Sequence, residues 1–125
     1  MTPTRILIVE DEHFISELYT RALQKAGYNV TVAADGINGF QQIMTNTYDI
    51  ALLDIMLPNL NGIEALKEIR AKTASNPLKT KIIIATNLDQ EDQKRESIEK
   101  LADGYLVKAE ITPRQLVEFL QHLNQ

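Results

Sequence analysis

Four short apolar runs, each closing on a polar residue with chemistry to offer, constrain this chain more than any other feature. Ile6-Leu7-Ile8-Val9 runs into Glu10 and Asp11, Ile50-Ala51-Leu52-Leu53 ends at Asp54, Ile82-Ile83-Ile84-Ala85 ends at Thr86, and Tyr105-Leu106-Val107 ends at Lys108. Unbroken apolar runs of this length suit strands covered on both faces, as in a parallel sheet. Between the runs the spacing turns helical. Phe14, Ile15, Leu18, Tyr19, Ala22, Leu23 and Ala26 recur as on the apolar face of a helix, with Gly27 placed to end it. Asn29–Ala33 alternates, which predicts a strand nearer the sheet edge, and Asp35-Gly36 opens a short helix through Phe40, Ile43 and Met44. A loop with Pro58 and Gly62 leads to a helix carrying Ile63, Leu66, Ile69 and Arg70, and Thr73–Pro77 is a polar break. The next helix, from about Gln90 to Leu101, is mostly polar, anchored late by Ile98, Leu101 and Ala102. The last helix has an explicit start in Thr112, Pro113 and Gln115 and continues through Leu116, Phe119, Leu120 and Leu123. Strand and helix thus alternate five times in 125 residues, which predicts one α/β domain with a parallel sheet and helices on both faces.

Parallel strands put their carboxyl ends on one edge, and ligands of open α/β sheets bind outside that edge. Glu10, Asp11, Asp54, Thr86 and Lys108 should therefore converge there. Each alone has an ordinary role: Asp54 or Thr86 as a cap or turn residue, Glu10-Asp11 favouring a helix start, Lys108 as a solvated cation. Four consistent strand ends argue for shared chemistry. Crowded carboxylates repel unless a cation holds them, and oxygen ligands without His or Cys suit Mg²⁺. A carboxylate can also attack phosphorus to form an aspartyl-phosphate, with Lys108 and Thr86 stabilising the phosphoryl oxygens.

Composition removes competing classes. The absence of Cys excludes disulfides, thiolate metal sites and cysteine nucleophiles. A net charge of −4 repels a nucleic-acid backbone, and no apolar stretch approaches a membrane span. The expectation is a cytoplasmic domain with no direct nucleic-acid or membrane contact. Neither a Walker-type phosphate loop nor a dinucleotide-binding glycine pattern is present. Asp54-Ile55-Met56 lacks the second aspartate that a dehalogenase-type phosphatase uses. His13 and His122, the two histidines, read as surface residues.

These residues closely resemble the response-regulator receiver domain of bacterial two-component signalling, from Ile6 to about Leu123. The acidic pair Glu10-Asp11, Asp54, Pro58, Gly62, Thr86, Tyr105 and Lys108 carry the resemblance, within segments such as Ile8-Val9-Glu10-Asp11-Glu12 and Leu53-Asp54-Ile55-Met56-Leu57-Pro58. It implies a flavodoxin-like, doubly wound five-stranded parallel sheet of order 2-1-3-4-5 with five helices. It also implies that Asp54 is the phosphoacceptor and that Mg²⁺ is held by Asp11, Asp54 and the backbone carbonyl of Met56, with Glu10 helping. Lys108 would pair with the phosphoryl group, and Thr86 and Tyr105 would form the switch. The implied partners are a sensor histidine kinase or histidine phosphotransfer protein and a downstream protein target. Such a domain is a signalling phosphoacceptor, not an enzyme in its own right. The residues flanking water's approach, Met56 and Leu88, are apolar and would give a long-lived phosphorylated state. Ala109 and Asn87 depart from the family, where proline usually follows the lysine and a small residue the switch hydroxyl. Residues 1–125 are expected to form a single receiver domain with no output domain. The alternatives are a receiver-like binding module that works without phosphorylation, and a small phosphoester hydrolase with Asp54 as nucleophile.

Overall fold

The alternation of runs becomes β1 (Arg5–Val9), α1 (His13–Lys25), β2 (Asn29–Ala33), α2 (Gly36–Met44), β3 (Ile50–Leu53), α3 (Gly62–Lys72), β4 (Lys81–Thr86), α4 (Asp92–Leu101), β5 (Gly104–Val107) and α5 (Pro113–Leu123), with a 3-10 turn at Lys108–Glu110. The structure, a computed structural model, describes residues 4–55, 57, 62–87 and 92–123. The strands form one parallel sheet in the order β2-β1-β3-β4-β5, the flavodoxin-like arrangement expected from the sequence.

Alternate residues within each apolar run serve opposite faces. Leu7, Val9, Ala51, Leu53, Ile82 and Ile84 pack with Ile43 of α2, Leu66 and Ile69 of α3 and Ile98 of α4. Ile6, Ile8, Ile50, Leu52 and Ile83 pack with Tyr19 and Leu23 of α1 and Leu116 and Leu120 of α5. This double burial is why the central strands show no polar alternation, whereas edge strand β2 does.

The helix ends follow local chemistry. Asp35 caps α2 by accepting from the Asn38 amide at 2.7 Å. Gly27, at φ 99°, ends α1 in a left-handed turn, with Gly27 N–H bonded to Gln24 O and Tyr28 N–H to Leu23 O, both at 3.0 Å. At α5, Thr112 and Gln115 bond reciprocally: Gln115 N–H to Thr112 Oγ1 at 3.1 Å and Thr112 N–H to Gln115 Oε1 at 2.8 Å.

Two expectations need correction. The apolar residues of α1 do not form one buried face: Tyr19 and Leu23 are buried along with Ser16, while Phe14 is 74% exposed and Leu18 is also exposed. Phe14 and Leu18 lie one turn apart on their own stripe, and Ser16, Tyr19 and Leu23 on the stripe facing the sheet. Strand β4 also extends beyond the apolar run to include Lys81 and Thr86. The expected start of the polar helix at Gln90 lies outside the described residues.

Gly62 fixes how the chain leaves β3. A Cβ built there would lie 2.3 Å from Ile55 Cα, and the Gly62 N–H bonds Ile55 O at 3.3 Å. The first residue of α3 therefore sits directly against the residue after Asp54, a closeness only glycine permits.

Candidate functional site

Strand register delivers the site residues to one edge. Val9 pairs with Leu53, so Glu10 and Asp54 leave the sheet side by side, and Thr86 pairs with Val107, the residue before Lys108. The ladder continues past the strand ends, with Glu10 N–H bonded to Ala33 O at 3.1 Å and Asp54 N–H to Val9 O at 3.3 Å. Backbone hydrogen bonds thus hold both acids before their side chains interact.

The centre of the site is a buried three-residue ion cluster. Lys108 Nζ donates to Glu10 Oε2 at 2.6 Å and to Asp54 Oδ2 at 3.1 Å, and all three side chains are almost wholly buried. Asp11 is exposed beside them, and one carboxylate oxygen from each of Glu10, Asp11 and Asp54 falls within 4.8 Å of the others. Burial raises the Glu10 carboxyl to about 7; the hydrogen bond and charge of Lys108 oppose the rise, and nearby Asp54 adds to it. Burial works against the Lys108 ammonium, but its bonds to Glu10 and Asp54 and their charges outweigh it and hold the pKa above the ordinary lysine value. A second oxygen of the cluster, Glu10 Oε1, is buried without a hydrogen-bond partner among the described residues. Oxygen-only donors around a buried carboxylate with an unused lone pair fit a hard divalent cation.

Thr86 is the last residue of β4, and Tyr105 lies on the neighbouring strand β5, paired with Ile84. Thr86 is fully buried, and its Oγ1 has no hydrogen-bond partner among the described residues. Tyr105 is half-buried against the core, with the Arg95 guanidinium carbon 4.6 Å from its ring centroid. The Lys108–Ala109 peptide is trans, and β5 passes directly into the 3-10 turn. Met56, Pro58 and Leu88 lie outside the described residues. His13 and His122 are exposed, as expected, and neither belongs to the acidic cluster.

Sequence reasoning missed Tyr19 as a residue of the site. It borders a cavity of about 10 Å³, room for about one water, together with Glu10, Asp54, Lys108 and Val9. Burial raises its phenol pKa, with Lys108 opposing and Glu10 adding to the rise. Its helical spacing makes it indistinguishable from an ordinary core residue, so no sequence signal sets it apart.

Over residues 6–121 the sequence matches the response regulator receiver domain family. The chain belongs to that family. It is 38% identical over 104 residues to the transcriptional regulatory protein CusR of Escherichia coli K12, covering 83% of this chain and 44% of CusR. The chain spans about half the length of the curated relatives it matches. A CheY-like receiver domain protein from Methanospirillum hungatei superposes with TM-score 0.82 at 30% identity, covering 98% of this chain and 95% of the other. The response regulator TrrA of Thermotoga maritima, solved in complex with Mg²⁺-BeF, superposes with TM-score 0.77 at 33% identity, covering 96% and 98%. The chain is thus a receiver domain of two-component response regulators, with an acidic pocket consistent with Mg²⁺ and aspartyl phosphorylation. The phosphorylation-independent binding module is not favoured. No described helix is long and apolar enough to cross a membrane.

Proposed function

We propose that Asp54 accepts a phosphoryl group from a phosphohistidine on a sensor kinase or phosphotransfer protein and that the domain switches a protein-interaction surface in response. The observation that carries this reading is the buried Lys108 ammonium, held on both Glu10 and Asp54 at the carboxyl edge of the sheet. In the transfer, an Asp54 carboxylate oxygen forms the new bond to phosphorus. The P–N bond breaks, and the histidine nitrogen keeps the electron pair and takes a proton. Lys108 already lies against Asp54, so its ammonium can follow the charge onto a phosphoryl oxygen without crossing the site. Asp11, Asp54 and Glu10 would hold Mg²⁺, with the Met56 carbonyl completing the protein ligands. A divalent cation held by these residues would supply charge neutralisation for the phosphoryl oxygens. Thr86 Oγ1, without a hydrogen-bond partner among the described residues, would donate to that group, and Tyr105 would turn inward behind it.

The domain signals from the cytoplasm as a phosphoacceptor that assists only its own phosphorylation and dephosphorylation. Its downstream target is a protein, reached without direct nucleic-acid contact by this domain. The test is intact-mass analysis after incubation with Mg²⁺ and acetyl phosphate. The wild type should gain one phosphoryl group and Asp54→Asn none. Equal labelling of the variant would remove Asp54 from the role, and rapid turnover of acetyl phosphate would favour a hydrolase.

A further inference from the structure

Among the described residues, α4 is fastened differently at its end and one turn earlier. Towards its end, Ile98 is fully buried, and Arg70 of α3 donates from Nε to Leu101 O at 2.6 Å. Arg70 also pairs with Asp103 at 3.2 Å, and the Asp103 carboxylate accepts the Ile82 N–H at 2.8 Å. The last turn of the helix is therefore tied to both α3 and β4. One turn earlier the fastening is Arg95, stacked on Tyr105 with its Cζ 4.6 Å from the ring centroid. Arg95 Nε is paired with Glu99 Oε1 at 2.9 Å, which fixes the direction of the guanidinium plane. A cation over an accessible aromatic face shifts an equilibrium by about two- to fivefold. That is small against the buried core, yet it is of the size that tunes a two-state switch.

We propose that Arg95 is a positioning residue for Tyr105: a cation–π latch that holds the ring in its half-buried setting and must open when the ring turns inward. The inference rests on Tyr105 as the switch aromatic. The contact joins the ring to α4 rather than to β5 alone, so ring and helix respond together. The Arg70 ties hold the last turn, so opening the latch loosens residues 92–97 and leaves 98–102 in place. The latch opposes the inward state, so its removal favours the activated form even without phosphate.

The test measures amide exchange and beryllofluoride binding on the full chain. Without any phosphodonor, Arg95→Gln should speed exchange of residues 92–97 by about two- to fivefold and leave 98–102 unchanged. Arg95→Lys, which keeps the charge, should fall between it and the wild type. With Mg²⁺, Arg95→Gln should bind beryllofluoride about two- to fivefold more tightly. In a Tyr105→Leu background the same substitution should have no further effect on exchange, because the pair is already broken. Glu99→Gln removes the ion pair but leaves the cation on the ring, and it should do less than Arg95→Gln. Equal effects of Arg95→Gln with and without the Tyr105 ring would overturn the latch, as would equal effects of Glu99→Gln or unchanged exchange in α4. A chain that takes neither beryllofluoride nor phosphoryl sinks the phosphoacceptor reading, while exchange in the phosphodonor-free protein still decides the latch.

Discussion

Helices α4 and α5 flank the same strand from opposite faces of the sheet and are secured by different means. α5 sets Leu116 and Leu120 fully into one core and begins with the reciprocal Thr112–Gln115 cap. In α4, Ile98 is the one fully buried side chain among the described residues, and Arg95–Glu99 and Lys100–Glu96 pairs run along its surface. A buried Leu or Ile contributes about 1.5–3 kcal/mol, whereas an exposed ion pair one turn apart contributes about 0.3–0.5 kcal/mol. Among the described residues, α4 is thus the more lightly packed of the two helices beside β5.

The largest effect should come from matched truncations of the two helices. Leu120→Ala should lower global stability by about 2–5 kcal/mol in chemical denaturation. Ile98→Ala removes comparable packing, but its main effect should be local loss of exchange protection in α4, with a smaller change in the global midpoint. Equal global losses would erase the contrast. A second effect, on the order of a few kcal/mol, comes from the site. Glu10 is raised to about 7 in the fold by burial, so it binds its proton more tightly folded than unfolded. In metal-free buffer its stabilising contribution is full below the ordinary carboxylate range and is lost as pH rises through about 7. Denaturation across that range should show stability falling with pH, and Glu10→Gln should flatten the slope. The smallest effect is at the cap, where Thr112→Ala should cost about 0.5–2 kcal/mol, read as a lower denaturation midpoint with faster exchange at the start of α5.

The sheet and the convergence of the acids were legible because both depend on local pattern. Unbroken runs such as Ile82–Ala85 can be satisfied only by burial on both faces, and parallel order places every carboxyl end on one edge. The alternating Asn29–Ala33 run likewise marked the edge strand. What could not be read was pairwise geometry. Lys108 and Glu10 lie 98 residues apart, and nothing local says that they bond at 2.6 Å. The exposed stripe of Phe14 and Leu18 escaped for a related reason: helical spacing marks apolar positions but not which stripe the sheet covers. Arg95 looked like one more charge on a polar helix, and only the fold places Tyr105 beneath it.

Gly62 bears on how much change this chain can tolerate. Most surface positions of α3 can accept a new side chain at the cost of local adjustment. At position 62 even a methyl group meets the backbone of Ile55, the immediate neighbour of Asp54. A side chain there forces either the start of α3 or the backbone of Ile55, next to Asp54, to move. A residue that carries no chemistry of its own thus sets the clearance between the foot of a helix and the neighbour of the buried carboxylate, and that clearance is smaller than one methyl group.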